Sequence, residues 1–234
     1  MGAATRTRTL RRNTIATTSQ PDPAKVERAI QRALLAGGRH ARYAFRSRDF
    51  RIDWKQDGSP VTSADLEVER IVTDVLREEM PRVPVIGEES AGARGWTARG
   101  DAEPLFAVDP IDGTTNFVRG VPFFSVTCAY LEGSETRVGG VYDPVHDDYF
   151  HAWTGGGAWW NDRRAAPEPV REIERAEVGL PFDTFPDEWR ARAVERLLPR
   201  VYKVRALRSA ALEICGVGCG RFSAALLGRV AVWD

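Results

Sequence analysis

Lysine is nearly absent from this chain: of 33 basic residues only those at 25, 55 and 203 are lysine, and the rest are arginine. The 33 acidic residues balance them, so the formal charge is zero and no overall field draws the chain to nucleic acid or to an acidic membrane. Long apolar runs are also missing; none approaches the roughly 20 residues that cross a bilayer, so no membrane partner is expected. Cysteine is scarce and odd in number. Cys128, Cys215 and Cys219 lie in apolar stretches without zinc-site spacing, and read as buried free thiols of a reducing compartment. His40, His146 and His151 are scattered, which argues against a histidine metal centre.

The first 21 residues have few apolar side chains and no h-region, which excludes a secretory signal. They read as a disordered tail on a cytoplasmic protein. An organelle transit peptide is the alternative, because the stretch is basic, hydroxylated and free of acid before Asp22.

What is present is an alternation of helical and extended patterns. Asp22-Pro23 reads as an N-cap with proline at the first helical position, and Val26, Ala29, Ile30, Ala33 and Leu34 carry a helix into the mid-forties, weakened at Gly37-Gly38. A strand at 50–54 leads to the polar loop 55–65. A second helix starts at Thr62 or Ser63 and ends before Pro81. Val85-Ile86 and 105–108 are short apolar strands, each running into an acidic turn. Three strands follow at 124–131, 138–142 and 149–153, separated by turns at Gly133, Asp143-Pro144 and Gly155-Gly156-Gly157. Beyond them come a strand at 178–180, a helix at 186–198, a strand at 201–205, a helix from Ser209 and a strand at 222–227. The pattern implies layered α and β structure, with an N-terminal α+β lobe at 22–165 and a C-terminal α/β lobe at 166–234.

The acidic turns carry the chemistry. Glu88 follows one strand and Asp109 and Asp112 follow the next, and strand ends fix where such side chains emerge. Converging carboxylates without histidine or cysteine suit a hard cation such as Mg²⁺, although Asp, Pro and Gly are also plain turn formers. The string Asp109-Pro110-Ile111-Asp112-Gly113-Thr114-Thr115-Asn116-Phe117 strongly resembles the signature of the inositol monophosphatase family. Gly87-Glu88-Glu89-Ser90 is similar to that family's GEES segment. Lys55 with Val61-Thr62-Ser63-Ala64-Asp65 is similar to its lysine loop, and Trp233-Asp234 to its WD motif.

The resemblance implies a layered αβαβα sandwich of the inositol monophosphatase and fructose-1,6-bisphosphatase type, often a homodimer, that hydrolyses a small phosphate monoester. It implies two or three Mg²⁺ ions. Glu88, Asp109 and the Ile111 carbonyl would hold the first; Asp109, Asp112 and Asp234 would hold the second; Asp65 would anchor a third through water or orient Thr114. Glu88, Thr114 and Asp65 would be catalytic. Asp112, Gly113, Thr114 and Ala210 would contact the substrate, and Lys55 would support the site from its loop.

Three departures from the family pattern are visible. Arg208 stands where the R-x-x-G-[ST]-A-A segment has glycine. Ser223 and Leu227 fall where an aspartate and, in inositol-specific members, a sugar-contacting glutamate are usual. The family normally continues beyond the WD motif, so the C-terminal lobe is expected to be incomplete and Asp234 poorly tied. The leading expectation is an inositol monophosphate or a similar polyol phosphate as substrate. Histidinol phosphate is the alternative within the superfamily, and an inactive binding homologue is the alternative outside catalysis.

Overall fold

A computed structural model describes residues 21–94, 103–228 and 230–233; the expected N-terminal tail, save Pro21, and the ligand expected at Asp234 lie outside the described residues. Helix α1 (Pro23–Ser47) begins where Asp22 accepts the Ala24 N–H at 3.0 Å, and its last turn closes on Arg48 at φ 58°. The Arg48 guanidinium then donates to the carbonyls of Phe117 and Val118. Strands β1 (Ile52–Trp54) and β2 (Pro60–Thr62) form an antiparallel hairpin that leads into α2 (Ser63–Glu79). Thr62 and Asp65 make a reciprocal capping box at the start of α2, which satisfies two amides that the helix itself leaves unpaired.

The chain continues through β3 (Val85–Gly87), the short α3 (Glu88–Arg94), β4 (Leu105–Asp112), α4 (Thr114–Arg119), β5 (Ser125–Glu132), β6 (Glu135–Asp143), β7 (Asp148–Trp153), β8 (Gly157–Trp160) and β9 (Arg163–Arg164). These strands form one seven-stranded sheet in sequence order from β3 to β9, parallel only between β3 and β4. Alternation along the central strands puts Phe106, Val108 and Tyr130 under the apolar stripes of α1 and α2, which contribute Ile30, Leu34, Val68, Val72 and Leu76. Gly37 and Gly38 sit at the closest approaches of α1. A Cβ on Gly37 would lie 2.6 Å from Val72 and one on Gly38 2.3 Å from Tyr142 of β6, so larger residues would push the helix off both neighbours.

Beyond β9 come β10 (Glu177–Gly179), α5 (Asp187–Arg196), β11 (Lys203–Arg205), α6 (Ala210–Gly218) and β12 (Ala224–Ala225). A second, all-parallel sheet has the order β11-β10-β12. Helix α6 contacts β5 and β6 on one side and β12 on the other, so the layers run helices, large sheet, helix, small sheet. Cys128 is buried, and Cys215 and Cys219 are half-buried, all three as free thiols. Among the described residues no helix is long and apolar enough to cross a membrane.

The expected elements recur, but β2 forms within the stretch read as a polar loop, α3 follows β3 where a turn was expected, and two further differences bear on the large sheet. Gly155–Gly157 is not only a turn but the start of an added hairpin, β8–β9. Strand β4 does not stop at Val108: it runs through Asp112, and its pairing with β5 shifts between Asp109 and Asp112. Such a bulge re-aims side chains at a strand end.

Candidate metal and phosphate site

The parallel pairing of β3 with β4 sets Gly87 beside Val108, so Glu88 and Asp109 emerge from neighbouring strands at the same level. Asp109 is 3% exposed, and its carboxylate accepts the Ile111 N–H at 3.0 Å, which folds the turn back on itself. Asp112 is fixed from the far side. It accepts from the Ser209 hydroxyl, from the backbone amides of Ala210 at 3.1 Å and Ala211 at 3.0 Å, and from Ser125 at 3.3 Å. The amide of Ala210, expected to meet substrate, is thus engaged by Asp112.

Gly113 follows at φ 92°, and a Cβ there would sit 3.1 Å from the Arg208 carbonyl and 3.2 Å from that of Phe123. Both the dihedral and the space require glycine. It opens α4, whose first turn has no side-chain cap. The Thr114 hydroxyl lies 2.9 Å from the Ile111 carbonyl and 3.3 Å from Asp65. Asp65 is buried and accepts both the amide of Thr62, at 2.8 Å, and its hydroxyl, at 2.5 Å. Burial raises its pKa to about 6 against the pull of those hydrogen bonds, and the nearby Glu88 charge adds to the rise.

On the other side of the site, Lys55 donates to Glu88 at 2.6 Å and to Glu89 at 2.8 Å. Burial works to lower the Lys55 pKa, but the charges and hydrogen bonds of the two carboxylates outweigh it and hold the ammonium above its ordinary range. Burial lifts Glu89 to about 7 in spite of Lys55, helped by repulsion from Glu88. Trp233 supplies a further tie: its carbonyl accepts from Thr127 at 3.2 Å, and Thr127 is the cross-strand partner of Asp109. The residue before Asp234 is therefore anchored beside the Asp109 turn. Among the described residues, no three His, Cys, Asp or Glu side chains form a group that could hold an ion.

Sequence reasoning missed the residues that brace these turns. Glu69 accepts the amides of Glu89 at 2.9 Å and Ser90 at 3.1 Å. Asn116 donates to the carbonyls of Phe123 at 2.7 Å and Leu207 at 2.6 Å, and Glu213 accepts the amides of Leu207 at 2.9 Å and Arg208 at 3.0 Å. Arg208, at the position where glycine was the expected residue, adopts φ 62°. Ser223 exchanges hydrogen bonds with Glu177 of β10 and so serves the small sheet.

With this geometry in hand, comparison with known proteins is decisive. The sequence profile of the inositol monophosphatase family matches residues 22–234. The chain belongs to the inositol monophosphatase family. Among the family's proteins it is 36% identical over 177 residues to an inositol-1-monophosphatase of Bacillus subtilis, covering 74% of this chain and 65% of the relative. It is 34% identical over 209 residues to the Nus factor SuhB of Pasteurella multocida, covering 88% of this chain and 77% of that one. The chain thus spans about two thirds of the length of its Bacillus relative. The extragenic suppressor protein suhB of Bartonella henselae superposes with a TM-score of 0.80 at 27% identity, over 89% of this chain and 80% of the other. An IMPase of Thermotoga maritima gives 0.73 at 30% identity, over 85% and 74%. The family's layered sandwich is therefore the fold of this chain.

Proposed function

We propose that this chain hydrolyses a small phosphate monoester, an inositol monophosphate or a similar polyol phosphate, in a magnesium-dependent reaction. The supporting observation is that Glu88 and Asp109 leave the paired ends of β3 and β4 at the same level, with Asp112 and the Thr114–Asp65 pair following on the chain and the Lys55 ammonium seated between Glu88 and Glu89. A cation is already accommodated beside these carboxylates, and the donor set is oxygen throughout, as a hard divalent ion prefers. Glu88, Asp109, the Ile111 carbonyl and Asp112 would hold Mg²⁺, with Asp234 as a further ligand and Asp65 anchoring a third ion through water. When bound, the metal would acidify a water and neutralise phosphate charge.

The remaining work belongs to the chain's own groups. The single proton of the Thr114 hydroxyl is shared between the Ile111 carbonyl at 2.9 Å and the Asp65 carboxylate at 3.3 Å, which leaves its oxygen lone pairs to accept from an attacking water. Asp65, 3.3 Å behind it and held by Thr62, fixes that hydroxyl, and Glu88 orients the same water. The amides of Gly113 and Thr114, at the start of α4, would receive the phosphate oxygens, and phosphoryl transfer depends chiefly on such positioning. Leu227 gives no acceptor for a sugar hydroxyl, so recognition of the polyol ring is looser than a glutamate would make it.

The test is release of inorganic phosphate from inositol 1-phosphate and from histidinol phosphate, each with Mg²⁺ and with EDTA. Release with Mg²⁺ alone, faster from inositol 1-phosphate, is the expected result; a folded protein that releases nothing overturns the proposal. A second reading, a binding protein without catalysis, draws on the relative named as a Nus factor. It predicts neither phosphate release nor a Mg²⁺-dependent rise in Tm.

A further inference from the structure

A groove far from these carboxylates has its own chemical character. It lies between the first turns of α1 and the outer strands β7 and β8, with a volume of about 540 Å³, within the ordinary range for a small-molecule site. Its floor is an aromatic shelf. Tyr149, His151 and Trp153 alternate along β7 and share one face, and Trp159 pairs with His151 across the strands. The rings are close to parallel: Tyr149 and His151 lie 4.9 Å apart at 17°, and Trp153 and Trp159 lie 6.3 Å apart at 5°.

The wall is Glu27 of α1, whose side chain is 14% exposed and accepts the Tyr149 hydroxyl at 3.1 Å. His151 Nδ1 lies 3.1 Å from the same oxygen but is too poorly aligned to make a hydrogen bond. The His151 imidazole beside it, with burial opposing, holds the Glu27 carboxyl below its usual pKa. Asp147 and Asp162 add carboxylates, and among the described residues no lysine or arginine lines the groove.

The reverse face of the same strands shows what this combination holds. There Phe150 and Trp160 form the neighbouring cross-strand pair. Arg221 lies 4.4 Å above the Trp160 ring and 5.8 Å from Phe150, and pairs with Asp148 at 3.1 Å. A guanidinium stacks flat on an indole and keeps its N–H donors in plane for a carboxylate. The groove face repeats the aromatic pair and the carboxylate. Arg164 of β9 comes within 6.0 Å of Trp159, and among the described residues no cation lies over Trp153.

We propose that this groove binds a small guanidinium compound, whose planar cation stacks on the Trp153–Trp159 shelf and donates to Glu27. The site is separate from the carboxylate turns: β7 is three strands from β4, about 15 Å at ordinary strand spacing.

The experiment is calorimetric titration of the whole chain with agmatine, using putrescine as the ammonium control and the variants Glu27→Gln and Trp159→Leu. Agmatine is expected to bind saturably, and putrescine to bind about tenfold more weakly, because an ammonium cannot stack flat. Each variant is expected to lose about tenfold in agmatine affinity with its Tm and phosphate release unchanged. Absence of saturable agmatine binding overturns the proposal, as does equal binding by putrescine or by both variants. If Glu27→Gln fails to fold, Trp159→Leu on the shelf decides alone.

Discussion

The two carboxylate turns at the ends of β3 and β4 are held by different means. Asp112 is gripped by the Ser209 and Ser125 hydroxyls and by two amides of the first turn of α6, all within the buried frame. Glu88 answers to one lysine, which arrives from the loop of the β1–β2 hairpin, where β1 is exposed along its whole length. The amides of α6 cannot leave Asp112 without unwinding a helix, whereas a side-chain ammonium yields to a competing cation. One arm of the site is built in and the other is adjustable, the combination that the proposed uptake and release of ions and phosphate would need.

The largest expected effect comes from Asp109, which sits between the arms. Asp109→Asn should lower kcat for phosphate release by at least about a hundredfold while Tm stays within a few degrees of the parent. Retention of most of the activity would remove Asp109 from the reaction. Next, Ser209→Ala takes away a charge-assisted bond to a buried carboxylate and should cost about 1.5–3 kcal/mol in urea unfolding. Lys55→Met should cost less, about 1 kcal/mol or below in EDTA, because Lys55 and Glu88 keep about a quarter of their side chains in solvent and the buried Glu89 can take up a proton once the ammonium is gone. If the Lys55 variant proved the less stable of the two, the contrast between a rigid and an adjustable arm would be reversed.

A further expectation concerns pH. Burial raises the folded-state pKa of Asp65 to about 6, from the roughly 3.9 of a free aspartate. A carboxyl raised in this way lends relative stability below about pH 4 and loses it as pH rises through about 6. In EDTA, the urea midpoint of the parent should therefore fall relative to that of Asp65→Asn between those values. A constant difference would place the titration elsewhere.

Much of this was legible in the chain because the signals are local. Periodicity marked α1 and α2, and the signature-like string Asp109–Phe117 marked the family. The bracing residues were not legible. Asn116 and Leu207 meet across 91 positions, Ser209 and Asp112 across 97, and no sequence pattern ties partners so distant. Glu69 reads as an ordinary helix glutamate, yet it anchors the turn that carries Glu88 and Glu89. The positive φ of Arg208 was equally hidden, because arginine gives no sign of a left-handed backbone. The expected strand end at Val108 fell short because a bulge let pairing resume at Asp112.

The glycine pair in α1 also bears on how the molecule assembles. Each glycine withdraws about 1 kcal/mol of helix propensity relative to alanine, and both stand mid-helix. Taken alone, the segment is a poor helix; closed against Val72 and Tyr142, it is a tight one. Its ordering should therefore depend on α2 and β6 being in place. Its amides should exchange with solvent at the rate set by opening of the large sheet, so that one cooperative unit links the first helix to the strands beneath it.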